Sequence, residues 1–407
     1  MQNVVFVTGT IRGKSAWPYL FAKGLSEAGF NVTVISGYAN INVSDEYRNH
    51  QLVNPQERIT SSLKIIRVGS RKKDPHGLLG RGIKYIQLTK DLSKEVKKHK
   101  ADCYLFYSTP PFLGLIGEKM AQKGQKTVYI AQDLFPDSLF AAKPGIEQTI
   151  MGSLLRKLEK RIYDGNTKII TISKMMASQI EKNKTEPGNI EVIYNWANVD
   201  SLRHVNREEN PLFDEYEIDR DKFIVSYAGS FGPLQKLDLL LDTAKELKDI
   251  PNIQFVLFGR GVCKESILNR IKTEDIYNVT VLPMQPSEIV SEVYSFGDIE
   301  YVSVNEGVMK MASPHKILDV FSVGSPILAA IDKNSDMAQV INRTKMGVVV
   351  SPTVPEIREG ILQLYNKKEH LSEMGMKARK YAETIGYKSQ IRLYADFITN
   401  IINTDVR

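Results

Sequence analysis

The stretch Tyr227-Ala228-Gly229-Ser230-Phe231-Gly232-Pro233-Leu234-Gln235-Lys236-Leu237 follows an apolar, strand-like run. It opens onto Leu237, Leu240, Leu241 and Ala244, which recur at helical spacing. A glycine-bearing turn that runs into a helix N-terminus offers backbone N–H groups and the positive end of the helix dipole to a diphosphate. Lys236 adds a full charge. Gly229, Ser230, Gln235 and Lys236 are therefore candidates for holding a phosphorylated ligand, against the plain reading of turn glycines and a solvated lysine. A second segment, 313–326, is punctuated as a helix, with Ser313 as N-cap, Pro314 at the first helical position and Gly324 at the stop. Ile317, Val320 and Phe321 make its buried stripe, and Lys316 and Asp319, three apart, share a face beside it. Lys316 suits phosphate and Asp319 suits ribose hydroxyls; the alternative is an exposed ion pair worth well under ~1 kcal/mol. His315 reads as a polar helix residue.

Two further motifs imitate chemistry. Gly9-Thr10-Ile11-Arg12-Gly13-Lys14-Ser15 resembles a Walker loop but has three residues between its glycines where four are required. Trp17-Pro18 is also expected to interrupt the helix that should follow. The loop from Gly9 to Gly13 is better read as a ligand-facing loop of the first half, with Gly13 as a contact. Asp219-Arg220-Asp221 precedes a strand-like run instead of ending one, which argues against a metal-binding Asp-x-Asp; it reads as linker.

The elements that must position these residues alternate. Short β-branched runs are separated by longer amphipathic stretches, the pattern of parallel sheets with crossover helices. Seven strand candidates between Val4 and Tyr194 and six between Phe223 and Val350 imply two sheets, with the polar stretch 201–222 as the linker. A length of 407 residues also favours two domains. No run approaches ~18 uninterrupted apolar residues, so a spanning helix is not expected. The segment after Met1 lacks the layout of a signal peptide, which favours the cytoplasm. Cys103 and Cys263 are far apart and are expected in the core. Net charge is +7, unevenly placed: residues 1–200 carry 29 Lys+Arg against 18 Asp+Glu. Twelve of those basic residues, among them Lys72, Lys73, Arg81 and Lys84, lie in 64–100, interspersed with Leu78, Leu79, Ile83, Ile86 and Leu88. The stretch is a candidate surface for an anionic membrane, against a merely solvated helix face. Nucleic acid is disfavoured, since no recognisable binding module accompanies the charge.

Taken in order, Tyr227-Ala228-Gly229 with Gln235-Lys236-Leu237, Leu257-Phe258-Gly259-Arg260-Gly261, Val281-Leu282-Pro283, Ser313-Pro314-His315-Lys316-Ile317 and Gly324-Ser325-Pro326 resemble the donor-binding half of glycosyltransferase family four. The segment from Gly24 to Val34 resembles that family's first βα unit. Residues 131–138 are similar to the acceptor-side loop of its bacterial surface-polysaccharide members, and 192–200 to the domain-joining segment. The resemblance implies an α/β GT-B architecture, two Rossmann-like domains facing an interdomain cleft. Residues 1–204 would form the acceptor-binding domain, with 386–407 packing back onto it, and 205–385 the donor-binding domain. It implies transfer with retention from a nucleotide-diphosphate sugar, without a bound metal or cofactor. The implied acceptor is a polyprenyl-diphosphate-linked saccharide in capsule or O-antigen assembly, at the cytoplasmic face of the inner membrane.

Residue by residue, Lys236 matches the family's diphosphate-holding cation and Asp319 the final carboxylate of its Glu-x7-Glu motif. Met311 stands where the first Glu belongs, and Ser230 where many members have an Arg. Glu306 is expected to supply the missing carboxylate. Lys236 and Lys316, with Arg260, are expected to stabilise the leaving diphosphate. Asp133 and Asp137 are expected near the acceptor hydroxyl. The rival readings are a nucleotide-sugar epimerase of the same architecture and a catalytically silent relative that serves as a membrane-docked assembly partner.

Overall fold

The computed structural model describes residues 1–40, 43–71 and 78–404, with the side chains of Leu78, Leu79 and Arg81 outside the description. The chain divides into two compact units, Met1–Tyr194 with Gln390–Arg407, and Asn195–Ser389.

In the first unit the described strands are β1 Asn3–Thr10, β2 Asn31–Gly37, β3 Gln56–Arg58, β4 Leu63–Val68, β5 Cys103–Tyr107, β6 Thr127–Ala131, β7 Lys168–Thr171 and β8 Ile190–Val192. They form one sheet in the order β3-β4-β2-β1-β5-β6-β7-β8. Runs such as Val4–Val7 are apolar throughout because both faces of a parallel sheet are covered. The antiparallel β3, Gln-Glu-Arg paired on β4, carries no apolar signal and is not legible as a strand from its residues. The order reverses between β1 and β5, and there the Gly9 N–H donates to the Thr109 carbonyl at 2.8 Å. A Cβ on Gly9 would land 2.6 Å from the Pro110 ring, so the two loops can touch only at glycine. Trp17 and Pro18 begin the helix Trp17–Glu27 instead of interrupting one, because proline in a first turn forfeits no helical hydrogen bond. Trp17 stacks on Phe21 at 4.7 Å, and the buried Tyr394, from the helix Tyr387–Asn403, meets the Phe21 ring at 5.0 Å.

In the second unit β9 Phe223–Ser230, β10 Ile253–Arg260, β11 Val279–Leu282, β12 Ile299–Ser303, β13 Ile327–Ala330 and β14 Gly347–Val350 form a parallel sheet in the order β11-β10-β9-β12-β13-β14. Its order reverses between β9 and β12, and the strand ends at such a point splay apart to leave a ligand crevice. The stretch 201–222 is not a linker. Leu212 and Phe213 are fully buried in this unit's core, and the Phe213 ring stacks on Phe296 at 4.2 Å under the guanidinium groups of Arg207 and Arg220. The surrounding charges that made the stretch read as solvated cover that ring. Cys103 is buried, whereas Cys263 is only half-buried.

Candidate functional site

The reversal point of the second sheet gathers most of the singled-out residues. Gly229 pairs with Gly259 and Ser230 with Arg260 in the register of β9 and β10, so the two strands end together. A Cβ on Gly259 would sit 2.1 Å from the Gly229 carbonyl oxygen, and one on Gly261 2.3 Å from the Phe231 carbonyl oxygen. The two loops therefore lie against each other through bare backbone. Phe231 N–H donates to the Arg260 carbonyl at 2.8 Å and Cys263 N–H to the Phe231 carbonyl at 3.0 Å, which locks the pair. The chain then makes the short 3-10 turn Pro233–Gln235 and enters the helix Leu237–Glu246 through Lys236, held in the left-handed region at φ 48. That conformation is uncommon for a side chain bearing a Cβ, and here it turns the chain into the helix and leaves the lysine exposed. Ser230 and Arg260 are also exposed, and Gln235 is half-buried. The Asn305 N–H donates to the Leu234 carbonyl at 3.0 Å, bringing the loop after β12 alongside. Glu306 is exposed on that loop, anchored by the Gly307 N–H on the Asp332 carboxylate at 3.0 Å.

The helix that carries Lys316 and Asp319 is shorter than its punctuation suggested. It runs Lys316–Val323, so Ser313 and Pro314 lie outside it, and His315 occupies the N-cap without a capping side-chain bond. Gly324 does close it, at φ 75. Lys316 and Asp319 do not pair with each other. The Lys316 ammonium turns inward, 3.8 Å above the Tyr227 ring, 3.8 Å from the Glu300 carboxylate and 3.4 Å from the Tyr301 carbonyl. Glu300, in β12, is wholly buried and accepts from the Ser226 hydroxyl at 2.6 Å and the Ala228 N–H at 2.9 Å. Burial drives both groups towards neutrality, Glu300 upward and Lys316 downward, and their mutual attraction opposes this. The Tyr227 hydroxyl donates to the Ser230 carbonyl at 2.8 Å. The ammonium thus sits on a ring that is itself bonded to the glycine loop. Asp319 accepts from the Asn198 side-chain amide at 2.6 Å, while its other oxygen stands 3.7 Å from His315 Nδ1.

Glu300, Tyr227 and Asn198 were not read as site residues. Glu300 had a signal, a lone charge inside the apolar run Ile299–Val304. Asn198 lay in a segment singled out only for joining domains. A cavity of about 790 Å³ lies elsewhere in this unit, walled by Arg203, Arg207, Asp298, Gly324 and Arg379. It sits where β12 and β13 begin, the wrong end of the sheet for a ligand of this fold.

In the first unit Asp133 follows β6, near the Ser108 hydroxyl that accepts from the Gln132 N–H at 3.1 Å. Its side chain reaches solvent, yet the surrounding protein strips enough water from it to raise the carboxyl above the usual range. Gly13, at φ 120, has open space around it. Asp137 is not available to an acceptor: it is buried, accepts from Arg156 at 2.5 Å and from Gln179 at 3.2 Å, and serves the packing of this unit. The basic stretch 64–100 is only partly a surface. Arg67 is buried against Glu57 at 2.9 Å and Leu88 is buried, while Ile83 and Ile86 are exposed on the helix Leu78–Val96. Lys72, Lys73 and Asp74 lie outside the described residues, as do the side chains of Leu78, Leu79 and Arg81. Among the described residues no helix is long and apolar enough to cross a membrane.

Residues 16–201 match the model of Glycosyltransferase Family 4, and residues 208–381 that of Glycosyl transferases group 1. The chain is 24% identical over 232 residues to the probable glycosyltransferase WbjE of Pseudomonas aeruginosa, a match covering 57% of this chain and 58% of WbjE. It is 23% identical to the putative colanic acid biosynthesis glycosyl transferase WcaI of Escherichia coli K12, covering 56% of each. The chain thus spans little more than half the length of the curated relatives it matches. The crystal structure of Anabaena Alr3699/HepE in complex with UDP-glucose shares its fold, with a TM-score of 0.70 at 12% identity over 98% of this chain and 100% of that one. The fold is GT-B.

Proposed function

The chain belongs to glycosyltransferase family 4, and from that premise we propose that it moves a sugar, with retention, from a nucleotide-diphosphate sugar to a lipid-linked saccharide during assembly of a bacterial surface polysaccharide. The observation that carries this reading is the set of groups that the second unit's strand reversal gathers. The glycine loop presents Lys236 and backbone N–H groups, and the helix Lys316–Val323, whose Lys316 lies over the Tyr227 ring, presents the Asp319 carboxylate held by Asn198. A diphosphate suits the first and ribose hydroxyls the second. That Alr3699/HepE takes UDP-glucose supports a nucleotide-sugar donor, and the description of WcaI supports a polysaccharide pathway.

Transfer breaks the bond between the anomeric carbon and a diphosphate oxygen, and the electron pair leaves with the diphosphate. Fixed positive charge aimed at that oxygen lowers the barrier. We assign this role to Lys236, with Arg260 on the adjoining loop; Lys316, turned inward, adds positive charge beneath the loop. Glu306 takes the place of the missing first motif carboxylate, facing the sugar. Asp133, with its raised carboxyl, accepts the proton of the attacking acceptor hydroxyl. No metal or cofactor takes part in this reading.

The test offers the purified chain a panel of nucleotide sugars with polyprenyl-diphosphate saccharides and follows nucleoside diphosphate release and glycan mass. Donor-dependent growth of the lipid-linked saccharide is the expected result. Isomerised donor without transfer would assign the epimerase instead, and no turnover across a broad panel would favour a silent assembly partner.

A further inference from the structure

The cavity of about 790 Å³ in the second unit has no part in the transfer reaction. Substrate crevices of this fold open beyond the C-terminal strand ends, and this cavity lies where β12 and β13 begin, so whatever it takes is not the donor. Its size is that of a small-molecule pocket. Its charge is one-sided. Arg203, His204, Lys368 and Lys380 are exposed on its walls, and among the described residues none of their side chains has a hydrogen bond or ion pair. The two carboxylates that line it are already engaged, Asp298 by Arg207 at 2.5 Å and Glu383 by Arg379 at 3.0 Å. The excess is local, because residues 201–407 carry 25 Lys+Arg against 29 Asp+Glu. Unpaired cations that share a concavity repel one another and focus a positive potential, which a bound anion relieves.

The walls are held in place by bonds that leave these cations free. The Arg203 N–H donates to the Ser291 hydroxyl at 3.3 Å and the Val205 N–H to the Ser295 hydroxyl at 3.1 Å, which pins the strip that bears Arg203 and His204. The helix Leu371–Thr384, which bears Lys380, lies against the turn at Gly324 through bare backbone: a Cβ on Gly375 would come 2.2 Å from the Gly324 carbonyl oxygen. Arg379 joins the two walls. Its guanidinium donates to the Val199 carbonyl at 2.9 Å, to the Leu202 carbonyl at 2.8 Å and to the Ser322 carbonyl. Those partners lead to the candidate donor site. Val199 follows Asn198, whose amide holds Asp319, and Ser322 belongs to the helix Lys316–Val323, which carries Asp319 in its first turn and meets the cavity at Val323 and Gly324. One short helix has the donor-site carboxylate near one end and the cavity at the other.

We propose that this cavity is a second ligand site, an effector site for a small metabolite carrying two or more phosphate charges, with Arg203, His204, Lys368 and Lys380 as its cationic contacts. Leu371 and Met376, beside these cations, receive the carbon body of such a molecule. A ligand that bridges the two walls favours the arrangement in which Arg379 clamps them and, through Val199 and Ser322, the one in which Asn198 meets Asp319. The coupling to the donor rests on the transferase reading; the site itself does not.

The test is isothermal titration of the full chain, at low and matched ionic strength, with fructose 1,6-bisphosphate, inorganic diphosphate and inorganic phosphate. At least one of the first two is expected to bind about tenfold or more tightly than inorganic phosphate; a preference for the bisphosphate assigns a sugar phosphate, and a preference for diphosphate assigns the free anion. The double variant Arg203→Ser, Lys380→Ser is expected to bind about tenfold or more weakly, the scale of losing hydrogen bonds to a charged group, with its thermal melt unchanged because both side chains are exposed. Lys236→Ala, which removes the cation of the glycine loop, is expected to leave this binding intact. Absence of heat with all three probes, equal binding of all three, or equal binding by the double variant and wild type overturns the proposal. So does binding that only Lys236→Ala abolishes, because the donor site is then the one occupied. In the nucleotide-sugar panel the preferred probe is expected to lower the donor KM about fivefold in wild type and not in the double variant; a KM that ignores the probe overturns the coupling. Binding without turnover removes the transferase reading and leaves the site standing; turnover without binding does the reverse.

Discussion

At the scale of single residues, the site depends on how each charge is held. Lys236 is exposed and backed by a left-handed backbone, so Lys236→Ala is expected to cut turnover about 100-fold or more, the scale of losing one donor aimed at developing charge, with the fold intact. A near-normal rate would remove it from the mechanism. Asn198 acts through Asp319. Asn198→Ala is expected to raise the donor KM about tenfold, the scale of one hydrogen bond to a charged group, with kcat little changed; a fall in kcat alone would contradict this. Glu300 is the counter-charge of Lys316. Its attraction raises the Lys316 pKa against the downward push of burial, so Glu300→Gln lets the lysine lose its proton at lower pH. The alkaline limb of the kcat/KM profile is expected to move to lower pH, at a stability cost of roughly 3–5 kcal/mol for breaking a buried pair. Lys236 and Asp319 could be singled out from the sequence because each stands in a local segment with glycine or proline punctuation. Ser226 and Glu300 lie 74 residues apart and meet only because β9 and β12 are neighbours, which no local pattern reveals.

Elements follow the same division between local and non-local information. The central strands of both sheets announce themselves as β-branched runs, because burial on both faces favours apolar side chains at successive positions, whereas the edge strand β3 has no such burial and no such signal. Helices such as Ile150–Gly165 were harder to read, since exposed isoleucine and leucine at its start obscure the stripe that Leu155, Ile162 and Tyr163 make. The polar stretch 201–222 misled in the opposite sense, with Arg207 and Arg220 covering the buried Phe213. The same long helix supplies a pH prediction. Burial lifts the Glu159 carboxyl to about 7, above the 4.5 of an unperturbed glutamate, despite the opposing pull of Arg156. The folded state therefore holds this proton more tightly than the unfolded one. Its stabilising contribution is complete below pH 4.5 and is lost as pH rises through about 7. Glu159→Gln removes that loss, so the stability of the variant relative to wild type is expected to rise across this window by roughly 3 kcal/mol, at about 1.4 kcal/mol per unit. Denaturant midpoints at several pH values measure it; a flat difference would show that Glu159 is ionised throughout.

On the scale of the whole molecule, the path of the chain is the main fact: it leaves the first unit at Tyr194, builds the second, and supplies the first again from Gln390 onward. Tyr394 is wholly buried against Phe21 and near Trp17, although more than 370 positions separate them. Tyr394→Ala is expected to cost the first unit about 3–5 kcal/mol, the scale of emptying a buried aromatic site. Hydrogen exchange should show the loss in Trp17–Glu27 and β1, and protection unchanged in those segments would refute it. The same path sets a clock during synthesis. The 195 residues of Asn195–Ser389 must be made before Tyr394 exists, which at ~5–20 residues per second is a delay of roughly 10–40 s. Throughout that interval the nascent first unit shows the faces of Trp17 and Phe21 to the cell without their closing helix. The later-made unit, contiguous in sequence, is the one free to fold as soon as it emerges.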